Sequence, residues 1–509
     1  MDQRAAPSLD LLRVSGSLPQ HRVLENAARG HRAMLLAQLL KLVCKLTSVL
    51  WLARLVSPND HGLFAMASTV VLLLSLFRDA GLGAAAVQAP ALTPLQLTTL
   101  YWCHLGIGIV LTLLTVAVAP LAAWFYAAPA ALPLLLSMSL AFLLIGAGGF
   151  VRTQLERASR FGAVAGIEVT AVVGGTLAMI GAALLDAGAY SFVAYLIISE
   201  AVATVLAWRA LRWKPHGKPQ WSSIRRLLRT GGNVTGYHVM VHLLQQVDAI
   251  VVGRFFGAHV LGLYNRAGQL LALPQLHLSA PLNQVAVVTL SRLGGGTPEF
   301  TVHARTTATV VAHLVLPLFA VCAMLPAEVV RLVLGPQWPE AAPFLRVLSF
   351  AAAATTLTSL SYAINLAAGQ THRMMLAAAA ALPLTLAAVL VGTKRGPLGV
   401  AESIAAMNML LLWPRLWWTL RELPGGLAAY IGALAGPALS TAAAVLGLWL
   451  GRTLTGDATW FVRLGVGAIG GILGIILMAA LSPRVRGEWR TVASYLPLPW
   501  RKAVPPGQA

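Results

Sequence analysis

Lys41 and Lys45 stand one helical turn apart inside an apolar run, and Arg78 and Arg266 lie inside two others. A charge at the centre of a bilayer costs about 3 kcal/mol or more, so such residues mark places where something polar is handled. Arg offers a two-pronged fork to phosphate and Lys a point charge. The four are therefore candidates for holding an anionic group in a wet, cationic cavity. A second set can carry protons. Asp79 follows Arg78, and His238, His242 and Asp248 share one later run with Gln245 and Gln246. His238 and His242 fall on one helix face, and imidazole titrates near neutral pH. This set suits ion coupling, and it suits interhelical hydrogen bonding as well.

Other chemistries lack their residues. No GxxxxGK[ST] loop is present, so ATP hydrolysis is not expected. No His/Cys cluster has metal-ligand spacing, no catalytic constellation appears, and neither cofactor nor enzyme activity is expected. Cys44, Cys103 and Cys322 lie in apolar stretches and read as small buried hydrophobes. Glu168, Glu200 and Glu402 read as helix-end or packing residues. The run Gly465-x-Gly467-x2-Gly470-Gly471-x2-Gly474 suits close helix packing, not nucleotide binding.

The elements that must position these residues follow from composition. The 509 residues are 58% hydrophobic and 11% charged, where a soluble chain carries about 25% charged residues. Only a bilayer lets apolar residues face outward as well as inward. A spanning helix needs about 20 apolar residues, and about fourteen such runs can be drawn. They cover 33–54, 62–83, 98–123, 131–151, 164–185, 190–210, 231–254, 262–288, 304–326, 342–367, 373–392, 398–418, 428–450 and 460–481. Turn chemistry marks the breaks, as at Ser57-Pro58-Asn59-Asp60, Gly335-Pro336 and Pro424-Gly425-Gly426.

The net charge of +20 would suggest nucleic acid in a soluble protein. Here topology accounts for it, and no nucleic-acid partner is expected. Arg and Lys crowd alternate loops, with Arg152, Arg157 and Arg160 in one and Arg209 to Arg229 in the next. The opposite side has few, Lys394-Arg395 being the clear exception. This bias predicts cytoplasmic termini and an even helix count. Residues 1–32 read as a cytoplasmic tail, not a cleavable signal, and 482–509 as a second tail.

A shift of 200 residues lays Arg54-x7-Gly62-Leu63-Phe64-x2-Ala67 over Arg254-x7-Gly262-Leu263-Tyr264-x2-Ala267 without a gap. The chain thus divides into an N-lobe, 33–210, a basic linker, 211–230, a C-lobe, 231–418, and two further helices in 428–481. Six helices per lobe is an even number, so both lobes insert the same way up. A pseudo-two-fold axis along the membrane normal follows, with a path between the lobes. The expected fold is an all-α polytopic membrane protein of two six-helix lobes plus two C-terminal helices.

The segment Leu55-Val-Ser-Pro-Asn-Asp-His-Gly-Leu-Phe-Ala-Met-Ala, then Phe77-Arg78-Asp79-Ala80-Gly81-Leu82-Gly83, resembles the start of Wzx-type polysaccharide flippases, the WzxC-like branch above all. Asp248-x4-Gly253-Arg254-Phe255, Gly262-Leu263-Tyr264-x-Arg266-Ala267 and Gly335-Pro336-Gln337-Trp338 resemble that branch's second half. The resemblance implies the multidrug/oligosaccharidyl-lipid/polysaccharide exporter superfamily, alternating access, and a bacterial inner-membrane location. It also implies an undecaprenyl-diphosphate-linked oligosaccharide as substrate, with membrane lipids, and with a polymerase and glycosyltransferases as possible partners. Lys45, nearest mid-span, is then the leading contact for substrate phosphate. Arg78 beside Asp79 fits an interfacial ion pair as readily, and Arg266, near a helix end, could snorkel. A lipid II flippase or a multidrug/cation antiporter is the rival reading within the superfamily. A polytopic glycosyltransferase or polymerase, or a silent scaffold, is the rival outside it.

Overall fold

A computed structural model describes residues 20–78, 93–158, 160–211, 213–215, 219–220, 225–294, 297–421, 423, 425–456 and 458–495, with residues 20–36, 225–241 and 371–372 described through their backbone alone. All regular structure among these residues is helical. The helices are α1 (Gln20–Leu55), α2 (Pro58–Ser75), α3 (Pro94–Phe125), α4 (Ala131–Arg157), α5 (Phe161–Leu184), α6 (Tyr190–Leu211), α7 (Arg225–Pro274) and α8 (Ala280–Leu293). There follow α9 (Pro298–Met324), α10 (Pro326–Val333), α11 (Ala341–Ala367), α12 (Thr371–Gly392), α13 (Gly396–Leu420), α14 (Gly426–Thr455), α15 (Trp460–Leu481) and α16 (Pro483–Tyr495).

Local chemistry sets the starts. Ser57, Thr93 and Thr297 each cap a helix whose next residue is proline, and each side chain accepts from the backbone N–H three residues on. Proline costs nothing at that position because its missing N–H has no helical partner. Thr93 and Gln96 complete a reciprocal capping box at 3.2 and 2.9 Å. Inside α7, Gly257 has φ 79° and ψ −178°, a conformation that glycine tolerates and L side chains rarely adopt. It separates the seventh and eighth predicted runs.

Among the described residues, ten stretches are long and apolar enough to cross a membrane. Two of them, His242–Leu293 and Arg373–Leu420, each take in two predicted runs, the seventh only from residue 242 onward. The remaining runs are α1, which carries Lys41, Lys45 and Arg54, and α2, which opens on Pro58-Asn59-Asp60-His61; neither is among the ten. The protein is an all-α, multi-pass membrane protein.

Packing divides the chain into two units, 1–262 and 263–509. This is a division by packing, whereas the six-helix lobes above are a division by sequence. In the first unit, Leu100, Phe150, Val151, Leu155, Ala207 and Trp213 form a core shared by α3, α4, α6 and the segment beyond it. Gly108 and Gly146 let α3 and α4 approach backbone to backbone, since a Cβ on Gly108 would lie 2.9 Å from Gly146 Cα. Thr204 Oγ1 and Trp208 Nε1 donate to the carbonyls of Leu144 and Ala147, both at 3.0 Å, and fasten α6 to α4.

In the second unit, Phe300, Ala304, Leu360, Ile364, Leu412, Leu416 and Tyr430 form a core from α9, α11, α13 and α14. The glycine run of α15 packs as its spacing predicts. Gly451 sits against Gly467, and Gly470 against Gly447 of α14. The opposite face of α15 exposes Ile469, Ile472, Leu473, Ile476 and Leu477, as suits lipid. The predicted tail 482–509 contains α16, an amphipathic helix that packs on α9, α14 and α15.

Candidate functional site

The first unit holds two adjoining cavities, of about 270 and 320 Å³, among α1, α3, α4, α5 and α6. They share Arg152, Glu156, Glu168 and Glu200. Arg78 and His104 line the smaller, and Lys41, Tyr195 and Ser199 the larger.

Two ion pairs organise the walls. Lys41 Nζ of α1 lies 2.6 Å from Glu168 Oε2 of α5, with the side chains 23% and 38% exposed. Arg152 Nη2 of α4 donates to Glu200 Oε2 of α6 at 2.9 Å, and both side chains are at most one quarter exposed. Each pair therefore faces a cavity and does not sit sealed in the packing. Such a pair is worth several kcal/mol of Coulomb attraction at an intermediate dielectric, much of it offset by desolvation. His104 Nδ1 donates to the Leu100 carbonyl at 2.8 Å, which fixes its ring.

On formal charge, Lys41, Arg78 and Arg152 face Glu156, Glu168 and Glu200. The cations arrive with an equal number of carboxylates, so the cavity is polar and charge-balanced. A multivalent anion can take over a cation from a single carboxylate, which then needs a proton or cation of its own. That exchange is the chemistry this arrangement offers. Among the described residues, no three of His, Cys, Asp and Glu converge as a metal site requires.

Of the residues singled out by sequence, Lys41 and Arg78 line these cavities. Lys45 is exposed on α1 and lines neither. Arg266 is in the second unit, 5% exposed, and donates to Gln269 Oε1 at 2.9 Å, so it is packed and not open. His242 is half-buried, and Asp248 Oδ1 accepts from the Ala249 N–H at 2.9 Å. His238 belongs to α7, with its side chain outside the described part, and Asp79 lies outside the described residues. Sequence places Glu168 and Glu200 as helix-end or packing residues and Arg152 as a loop charge, whereas the structure sets all three, with Glu156, on the cavity walls. The signal for Glu168 and Glu200 was present, because a carboxylate inside an apolar run is rare.

The model of a family described as "Polysaccharide biosynthesis protein" matches residues 51–343, more than half of the chain. The chain belongs to this polysaccharide biosynthesis family. The family segment runs from the end of α1 into α11 and takes in Arg78, Arg152, Glu156, Glu168 and Glu200. Among relatives, the lipopolysaccharide biosynthesis protein WzxC of Escherichia coli (strain K12) is 26% identical over 300 residues, 58% of this chain and 61% of that one. The match therefore spans less than two thirds of that relative. The teichuronic acid biosynthesis protein TuaB of Bacillus subtilis (strain 168) is 25% identical over 373 residues, 72% of this chain and 76% of the other. Among solved structures, the lipid II flippase MurJ in an inward closed conformation superposes with a TM-score of 0.72 at 15% identity, covering 89% of this chain and 98% of that one. The likeness to that structure is one of fold.

Proposed function

We propose that this polysaccharide biosynthesis protein is a flippase. It carries a polyprenyl-diphosphate-linked oligosaccharide repeat across a bacterial inner membrane by alternating access, for surface polysaccharide. The observation that carries the reading is the cavity in which Lys41 and Arg152 are each held by a carboxylate. A diphosphate and its sugar hydroxyls cross hydrocarbon only if their solvation is replaced. Lys41 and Arg152 can replace it for the phosphates, and Glu156, Glu200, Tyr195 and Ser199 offer hydrogen-bond partners to hydroxyls. The polyprenyl chain stays in lipid throughout.

On this reading the protein moves its cargo unchanged and is not an enzyme. Its termini are cytoplasmic, and the enzymes that build and polymerise the repeat act before and after it. Depletion of the protein tests the proposal. The expected result is accumulation of the lipid-linked repeat on the cytoplasmic leaflet and loss of the surface polymer. Normal surface polymer without accumulation overturns it, and accumulation of lipid II instead assigns the rival cargo.

A further inference from the structure

Helix α16 begins at Pro483, one residue after α15 ends at Leu481. Since α15 is long and apolar enough to span the membrane, this 13-residue helix starts at the edge of the bilayer. Its inward face is fixed by Val485 and Val492, both fully buried, and by Glu488. Glu488 Oε2 lies 2.9 Å from Nε2 of His313 on α9, whose side chain is wholly buried, while Oε1 accepts from Arg484 Nε at 3.0 Å. The carboxylate occupies the space that a side chain at position 436 of α14 would fill, which only Gly436 leaves open. Trp489 packs beside His313 with ring centroids 5.0 Å apart.

This docking has an electrostatic consequence. Glu488 is the only acid on α16 and it is turned inward. The outward face presents Pro483, Gly487, Arg490 and Ser494, with Arg486 at its flank, all exposed. Arg486 and Arg490 are four residues apart on the helix, a like-charge spacing that destabilises an isolated helix, and no carboxylate of α16 offsets it. Arg486 also donates to the Ala479 and Ala480 carbonyls at the end of α15, which holds its guanidinium at the boundary where lipid phosphates lie. A guanidinium matches phosphate with two parallel donors, and basic residues held at a membrane surface attract anionic lipid.

We propose that the outward face of α16 is a docking surface for the anionic headgroups of phospholipids, with Arg486 and Arg490 as the contact residues and the Glu488–His313 pair as the anchor that presents them. The surface is separate from the cavity of the first unit, and its test does not depend on the cargo. Native mass spectrometry of the full chain, titrated with phosphatidylglycerol or phosphatidylcholine, reads it directly. Wild type binds phosphatidylglycerol in preference. Arg486→Gln/Arg490→Gln weakens that binding by about fivefold per arginine, and Arg486→Lys/Arg490→Lys keeps most of it. Phosphatidylglycerol binding by the Gln pair equal to wild type overturns the proposal, as does equal binding of the two lipids by wild type. Equal loss in the Gln and Lys pairs ascribes the effect to disturbed packing and overturns it as well.

Discussion

Gly62 and Gly262, 200 residues apart in sequence, pack against each other through their backbones. The place a Cβ would take on Gly262 is 3.1 Å from the Gly62 amide nitrogen and overlaps the Pro58 carbonyl oxygen, while a Cβ on Gly62 would overlap that of Ala258. Residues 58 and 258 stand in the same 200-residue register as the two glycines, so the contact repeats itself on exchanging the halves.

If this contact closes one end of a carrier, bulk there should hold that end apart. Gly262→Val is expected to disfavour the closed state by about 1–3 kcal/mol, the usual cost of overpacking, and so to cut transport by about tenfold or more. Surface polymer in a complemented deletion strain, normalised to the amount of inserted protein, checks it. Wild-type polymer would show that the contact is not part of the cycle.

The Lys41–Glu168 pair can be separated into its structural and functional parts. Lys41→Met alone leaves Glu168 unpaired and should cost about 1–2 kcal/mol, moderated by its exposure. Lys41→Met/Glu168→Gln should recover most of that stability. Transport should stay low in both variants if Lys41 handles the cargo. Thermal unfolding alongside a transport assay distinguishes the two, and recovery of both properties would reduce the pair to packing.

Lys45 makes the contrasting case. It is exposed and lines neither cavity, so Lys45→Gln should change stability by no more than about 0.5 kcal/mol and leave transport near wild type. A loss comparable to that of Lys41→Met would move the site along α1.

The seat of α16 can be filled. Gly436→Val would evict the Glu488 carboxylate and should cost about 1–3 kcal/mol of docking. The helix should then open more often, and trypsin should cut after Arg484 and Arg490 faster than in wild type. An unchanged cleavage rate would show that α16 does not depend on this contact.

Much of the fold was legible because the bilayer writes it in composition. Gly62 and Gly262 were legible as a matched pair, because a backbone contact tolerates no side chain and so leaves a glycine at each end. Lys41 was legible as a charge inside an apolar run, but its partner was not, since nothing local pairs α1 with α5. Arg152 was missed through a boundary. The fourth apolar run ends at 151, whereas α4 continues to Arg157, which turns a loop charge into a cavity wall. Depth alone favours Lys45 over Lys41; the rotation of α1 turns Lys41 to the cavity, and sequence does not carry that rotation. Helix α16 escaped because its one acid is matched by a histidine 175 residues away.

Reconstitution tests transport by the isolated protein. The full chain in vesicles, supplied with a labelled polyprenyl-diphosphate-linked oligosaccharide in one leaflet, should expose the label in the opposite leaflet faster than protein-free vesicles do. Lys41→Met/Arg152→Gln should return the rate to that of empty vesicles. A wild-type rate no faster than the protein-free one would show that the protein does not flip this cargo.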